Sequence, residues 1–157
     1  MAALSNTLEN KLIDWFFRAQ AIGITGASAA AGTGPTSLYV GLFTVSPSDT
    51  GGGTEATGGS YARVAVTSSL ANWAGTQASG STTASSGTGG TTSNNAVITF
   101  PAPTTPGWGT ITSFGLFDAI SGGTLLIWGS LVAPKTVNTG DAAPTFAAGA
   151  LSFQIDN

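Results

Sequence analysis

The stretch Tyr61-Ala-Arg-Val-Ala-Val-Thr67 puts Ala62, Val64 and Val66 on one face and Tyr61, Arg63 and Thr67 on the other. Successive side chains of an extended strand point to opposite faces, so this period of two reads as a half-buried β-strand. Ala150-Leu-Ser-Phe-Gln-Ile155 repeats the pattern with Leu151, Phe153 and Ile155. Leu38-Tyr-Val-Gly-Leu-Phe43 and Leu125-Leu-Ile-Trp-Gly-Ser-Leu-Val132 are apolar on both faces. Such runs suit central strands covered on both sides, or strands at a subunit contact. Further strands are expected at 96–100, at 109–118, near Thr136 and near Phe146, separated by Gly, Pro, Ser and Thr clusters. About eight strands of this kind predict a mainly β protein, an antiparallel sandwich or jelly-roll-like domain.

One helix precedes them. Leu4, Leu8, Leu12, Trp15 and Ala19, joined by Ile13 and Phe16, recur at three- and four-residue steps, the period of an amphipathic helix. Asn6 with Glu9 three residues on marks its start and Gly23 its end, and Asp14 and Arg18 are placed for an i,i+4 ion pair. The apolar stripe either packs against its own domain or docks on a neighbouring subunit. Trp15, Phe16 and Phe17 keep the second reading open. The expected organisation is one domain over 1–157, with the helical segment at 1–24, a small-residue stretch from Gly26 to Gly34 and the β-sandwich at 35–157.

Residues 75–94 are almost wholly Gly, Ser, Thr and Ala, too poor in large apolar groups to offset their own ordering entropy. They read as a long loop, either a mobile surface excursion or an arm that orders against a neighbour. A second glycine-rich loop covers 49–59; no Lys follows it and no helical pattern opens after it, which sets it apart from phosphate-binding loops.

Composition narrows the chemistry. Charged residues make up 7% of the 157, against roughly 25% in an ordinary soluble domain. Four Lys and Arg against seven Asp and Glu leave a net charge of −3, with no basic field for nucleic acid. His and Cys are absent, which removes imidazole acid/base chemistry, thiol nucleophiles, disulfides and zinc sites built from those ligands. No apolar run approaches the length of a membrane span, and Glu9, Lys11 and Asp14 break any secretion-signal pattern. Asp49, Glu55, Asp118, Asp141 and Asp156 could pair for glycoside hydrolysis, but nothing in their spacing requires it, and Asp49, Asp118 and Asp141 sit in turn contexts. Asp49 and Glu55 lack the spacing of a calcium loop. Arg63, the one basic residue mid-chain, is expected to pair with an acid or to lie at a subunit contact. No Gly-x-Ser-x-Gly or Ser-x-x-Lys motif occurs. The chain is read as non-enzymatic, with no cofactor and no metal.

So few charges mean that a chain of this size either relies on neutral Ser, Thr and Asn for solubility or hides part of its surface in an assembly. The candidate interface residues are Leu8, Leu12, Trp15, Phe16, Arg63, Trp73 and Trp108. Trp73 and Trp108 are also the candidates for stacking on sugar rings, the alternative for each being a place in the core.

The ordered series Val40-Gly-Leu-Phe-Thr44, Pro47-Ser-Asp-Thr-Gly-Gly-Gly-Thr-Glu55, Gly58-Gly-Ser-Tyr-Ala-Arg-Val64, Ile98-Thr-Phe-Pro101, Trp108-Gly-Thr-Ile111, Phe114-Gly-Leu-Phe-Asp118, Gly122-Gly-Thr-Leu-Leu126 and Trp128-Gly129 resembles a family of short tailed-phage virion proteins. Its members are often labelled tail fibre proteins, and the resemblance covers roughly 38–153. It implies a virion structural component without enzymatic activity. In size and expected architecture the chain is also similar to phage capsid cement and decoration subunits, commonly trimers. The first expectation is therefore a homo-oligomeric decoration protein, a trimer, on the capsid surface that bridges major capsid subunits. The alternative is a tail-fibre or tail-tip component that contacts tail proteins or a host-surface glycan.

Overall fold

The computed structural model describes residues 4–24 and 34–155. Most of the small-residue stretch before Gly34, and Asp156, lie outside the described residues. The described elements are one helix, α1 (Asn6–Arg18), and nine strands: β1 (Ser37–Val45), β2 (Thr54–Glu55), β3 (Val64–Thr67), β4 (Thr91–Ser93), β5 (Ile98–Thr99), β6 (Gly109–Phe117), β7 (Leu125–Val137), β8 (Thr145–Phe146) and β9 (Ser152–Gln154). The protein is mainly β, antiparallel in its pairings, with one N-terminal helix, as its periodicities predict. The chain forms two compact units, one from Met1–Ser37, Thr67–Ile98 and Phe146–Asn157, the other from Leu38–Val66 and Thr99–Thr145.

The second unit is built on a five-stranded sheet of order β2-β1-β6-β7, with β3 also paired to β1. β1 is central, and Leu38, Val40, Leu42 and Phe43 are buried along it, as a strand apolar on both faces should be. It runs antiparallel to β6 with Val40 opposite Leu116, Gly41 opposite Gly115 and Phe43 opposite Ser113. The two facing glycines have a steric reason. A Cβ on Gly41 would lie 2.8 Å from the Phe117 ring and one on Gly115 2.8 Å from the Phe43 ring, so the strand centre stays bare and the two rings stack with centroids 5.8 Å apart.

A hairpin leads from β6 to β7. The Thr124 amide donates to the Asp118 carboxylate at 2.7 Å, the turn role read for that Asp. Of the two places expected for β7, the structure excludes that of a central strand: it is the last strand of the sheet, paired among the described residues only to β6. Leu126 is 38% exposed and Val132 fully so. The run's apolar character on both faces is thus not matched by cover on both faces. β3 keeps the expected phase, with Val64 and Val66 half-buried and Ala65 and Thr67 exposed; Arg63 and Ala62 depart from it, Arg63 turning inward.

The first unit packs α1 on the ladder formed by β4 and β9 and on the segments around it. Ser5, one residue ahead of the expected Asn6, is the N-cap and accepts from the Leu8 amide. The helix stops at Arg18, before Gly23, through Ala19 in the left-handed region (φ 54°), and the Gln20 amide then donates to the Asp14 carbonyl. The buried face is Glu9, Ile13, Asp14, Phe17 and Arg18; Leu8, Leu12, Trp15 and Phe16, the core of the expected stripe, are only half-buried. Phe17, Trp73 and Phe153 form the aromatic centre, with ring centroids 5.1 to 5.9 Å apart. In β9 and its flanks Leu151 and Phe153 point inward and Ser152 and Gln154 outward, as the alternation predicts.

Candidate functional site

Two buried arginines organise the polar interior, one in each unit. In the second unit Arg63 donates from Nε and Nη2 to the two Glu55 carboxylate oxygens at 2.8 and 2.7 Å. Its Nη1 donates to the carbonyls of Ala119 and Gly122 at 2.8 and 2.7 Å, tying down the β6–β7 turn. The guanidinium carbon sits 3.3 Å from the centre of the Phe117 ring. A planar fork over an aromatic face, bidentate to a carboxylate, is a geometry only Arg supplies. Tyr61 completes the cluster: its hydroxyl accepts from the Leu42 amide at 2.9 Å and donates to Glu55 at 3.0 Å. Burial pushes the Tyr61 phenol above its ordinary value, with the nearby Glu55 carboxylate adding to the shift. The pairing expected of Arg63 is therefore made, with Glu55 as its acid.

In the first unit Arg18 is fully buried. Its Nη1 reaches Asp14 at 2.6 Å and the Ser85 hydroxyl at 3.2 Å, its Nε the Trp73 carbonyl at 3.0 Å and its Nη2 the Thr83 carbonyl at 2.6 Å. Asp14 in turn accepts from the Ser85 amide at 2.9 Å and from the Ser85 hydroxyl at 2.6 Å. One helical turn earlier, Asn10 donates to the Gly87 carbonyl at 3.0 Å and accepts from Thr76. The low-complexity segment, read as an excursion or an arm, is thus fastened to the chain's own helix. Its backbone groups find partners on α1 in addition to those its own Thr76, Gln77 and Ser85 side chains supply. Asn94 does the same at its far end, fully buried, accepting from the Leu151 amide and donating to the Ala96 and Ala147 carbonyls. Nothing in the sequence around Asn94 singled it out.

The candidate residues do not form one surface. Leu8, Leu12, Trp15 and Phe16 lie together on α1, half-buried. Arg63, Trp73 and Trp108 are buried inside their units. Trp108 donates from its indole to the Gly59 carbonyl at 2.8 Å and meets Tyr61 edge-on. With Trp73 at 0% and Trp108 at 3% exposure, neither offers a face on which a sugar ring could stack, and both take the core alternative. Three of the acids weighed for hydrolysis are engaged elsewhere: Glu55 by Arg63 and Tyr61, Asp118 by Thr124, and Asp141 by the Asn138 amide at 2.8 Å. A hollow of about 550 Å³ beside α1 is lined by Asn10, Lys11, Asp14 and Ser85 among others, and their polar groups are already bonded within the unit. Among the described residues no three metal-ligating side chains converge, and no helix is long and apolar enough to cross a membrane.

Val132, Ile120, Val45 and Leu126 are the uncovered large apolar side chains of the second unit, three of them on β7 or its hairpin. The described residues thus show a mainly β fold with buried ion pairs and an uncovered edge strand. The family described as Podophage GP4 fiber I protein gp80 matches residues 3–154, and the chain belongs to it. It is thus a member of a tailed-phage virion structural protein family, as the ordered motifs suggest. No curated protein matches the chain.

Proposed function

We propose that this chain is a tail-fibre component of a podophage, a non-enzymatic building block that acts through contacts with other virion proteins. The observation that carries this reading is the match of nearly the whole chain to a family described as a fibre protein. That description moves the weight from capsid decoration, the first expectation, to the tail alternative. The sparse charge and the uncovered β7 fit a subunit whose surface is completed by neighbours. Recognition of a host glycan through Trp73 and Trp108 is not part of the proposal, because both rings are enclosed.

Gold-labelled antibody against the chain, applied to purified virions and imaged by electron microscopy, tests the location. Label confined to the tail end is the expected result. Label scattered over the head would overturn the proposal in favour of decoration.

A further inference from the structure

The hollow of about 550 Å³ beside α1 lies within the first unit and is walled by three pieces of chain. Thr7, Asn10, Lys11 and Asp14 recur at three- and four-residue steps, so they line it from one face of the helix. Gln20 and Ala21 form a second side, from the segment just after the helix. Ala84 and Ser85 form the third, from the low-complexity segment that Arg18 and Asp14 fasten to α1. Thr7 and Ala84 are exposed, so solvent reaches the hollow. Its volume falls within the roughly 300–1,000 Å³ usual for small-ligand sites.

The bonds made within the unit hold these polar groups in place without exhausting them. Lys11 gives two of its three N–H donors to the Ile22 and Gly23 carbonyls, at 3.2 and 2.7 Å. Asp14 accepts one bond from Arg18 and two from Ser85, where a carboxylate has about four lone-pair sites, and its side chain keeps 13% exposure. Gln20 donates from Nε2 to the Arg18 carbonyl at 2.9 Å. Neither its Oε1 nor the Thr7 hydroxyl has a partner among the described residues. Donors and acceptors with spare capacity thus line one space, and most of them are already fixed in direction, which lowers the cost of binding.

The charges select the ligand. A cation entering the hollow meets Lys11 as a like charge, and an anion meets Asp14. What suits it is a neutral molecule that both donates and accepts several hydrogen bonds, the chemistry of a polyhydroxylated ring. The Ala21 and Ala84 methyls supply small apolar contacts for its C–H groups. Among the described residues no aromatic side chain lines the hollow, so such a ring is held by hydrogen bonds and not by stacking.

We propose that this hollow is a binding site for one neutral sugar unit, gripped between α1 and the low-complexity segment. The site gives Ala84 and Ser85 a task beyond covering the helix. It is independent of the tail-fibre reading, so the antibody label and the binding test fail separately.

Two-dimensional NMR of the isotope-labelled full chain tests it, with glucose, galactose, mannose and rhamnose as neutral probes and sodium acetate and ammonium chloride as charged ones. At least one sugar should shift the backbone amides of Lys11, Asp14, Gln20 and Ser85, saturating in the millimolar range. Equal shifts with its methyl glycoside mark the end of a glycan chain as the source, and loss of them marks a free sugar. Gln20→Ala should weaken binding by about three- to tenfold. Ala84→Trp, which sets a ring at an exposed position of the rim, should abolish the shifts with an unchanged circular dichroism spectrum. Amides that no sugar moves at concentrations up to about 0.1 M would overturn the proposal. So would shifts that both variants leave unchanged, or a charged probe that moves the same amides at lower concentration than any sugar.

Discussion

Arg63 sets the energetics of its unit at the scale of one side chain. It holds Glu55, two turn carbonyls and the face of Phe117 at once. Replacing it with Met removes one partner of a buried pair and leaves those acceptors without their donor. The expected loss is about 3 kcal/mol of unfolding free energy, measured by urea denaturation. Arg63→Lys should recover only part of it, because an ammonium cannot make the bidentate contact. Tyr61 gives a pH signature. Its phenol is pushed up by burial, so the folded state holds the proton where the unfolded chain releases it. The stability it contributes is therefore fully present below the ordinary phenol value of about 10 and falls as pH rises toward the folded value. In a Tyr39→Phe variant Tyr61 is the sole tyrosine, and its ultraviolet ionisation should begin only well above pH 10. Ionisation near 10 with the fold intact would contradict the burial argument. That Arg63 would meet an acid was legible in the sequence. Which acid was not, because the glycines between Glu55 and Arg63 leave the path of the chain open.

At the scale of elements, α1 and residues 75–94 are one structure. The helix and its Asp14–Arg18 pair are legible in the sequence, but of the apolar stripe, open to either own-domain packing or docking, only Ile13 is fully buried among Leu8, Leu12, Ile13, Trp15 and Phe16. The face that turns inward is led by Glu9, Ile13, Asp14, Phe17 and Arg18, because a segment of Gly, Ser and Thr packs against donors and acceptors as well as against hydrocarbon. Arg18→Met should therefore act at a distance in sequence: amide hydrogen exchange across 76–87 should speed by about tenfold or more, with a loss of about 3 kcal/mol in stability. Exchange unchanged in that segment would show that the helix does not hold it. β7 carries the converse lesson. Its residues are apolar enough for a central strand, yet it lies at the edge, since periodicity reports which faces are apolar and not what covers them.

For the molecule as a whole the governing quantity is the scarcity of charge. Of four basic residues, Arg18 and Arg63 are spent in internal pairs, leaving Lys11 and Lys135. Lys11 donates to the carbonyls of Ile22 and Gly23, which ties the chain just beyond the helix back to α1.

The sequence by itself determined the class of structure: strand periodicity, one helix, turn residues such as Asp118, no His or Cys chemistry, and an ordered set of motifs that carries the phage structural family. These are local properties, written in spacing and composition. Only the tertiary structure decided that the low-complexity segment is fastened to α1, that Trp73 and Trp108 are enclosed, and that β7 is left uncovered. Each depends on which distant segment arrives at a given face, and hydrogen bonds over sixty or seventy residues of chain, such as Ser85 to Asp14, leave no periodic trace in the residues that make them.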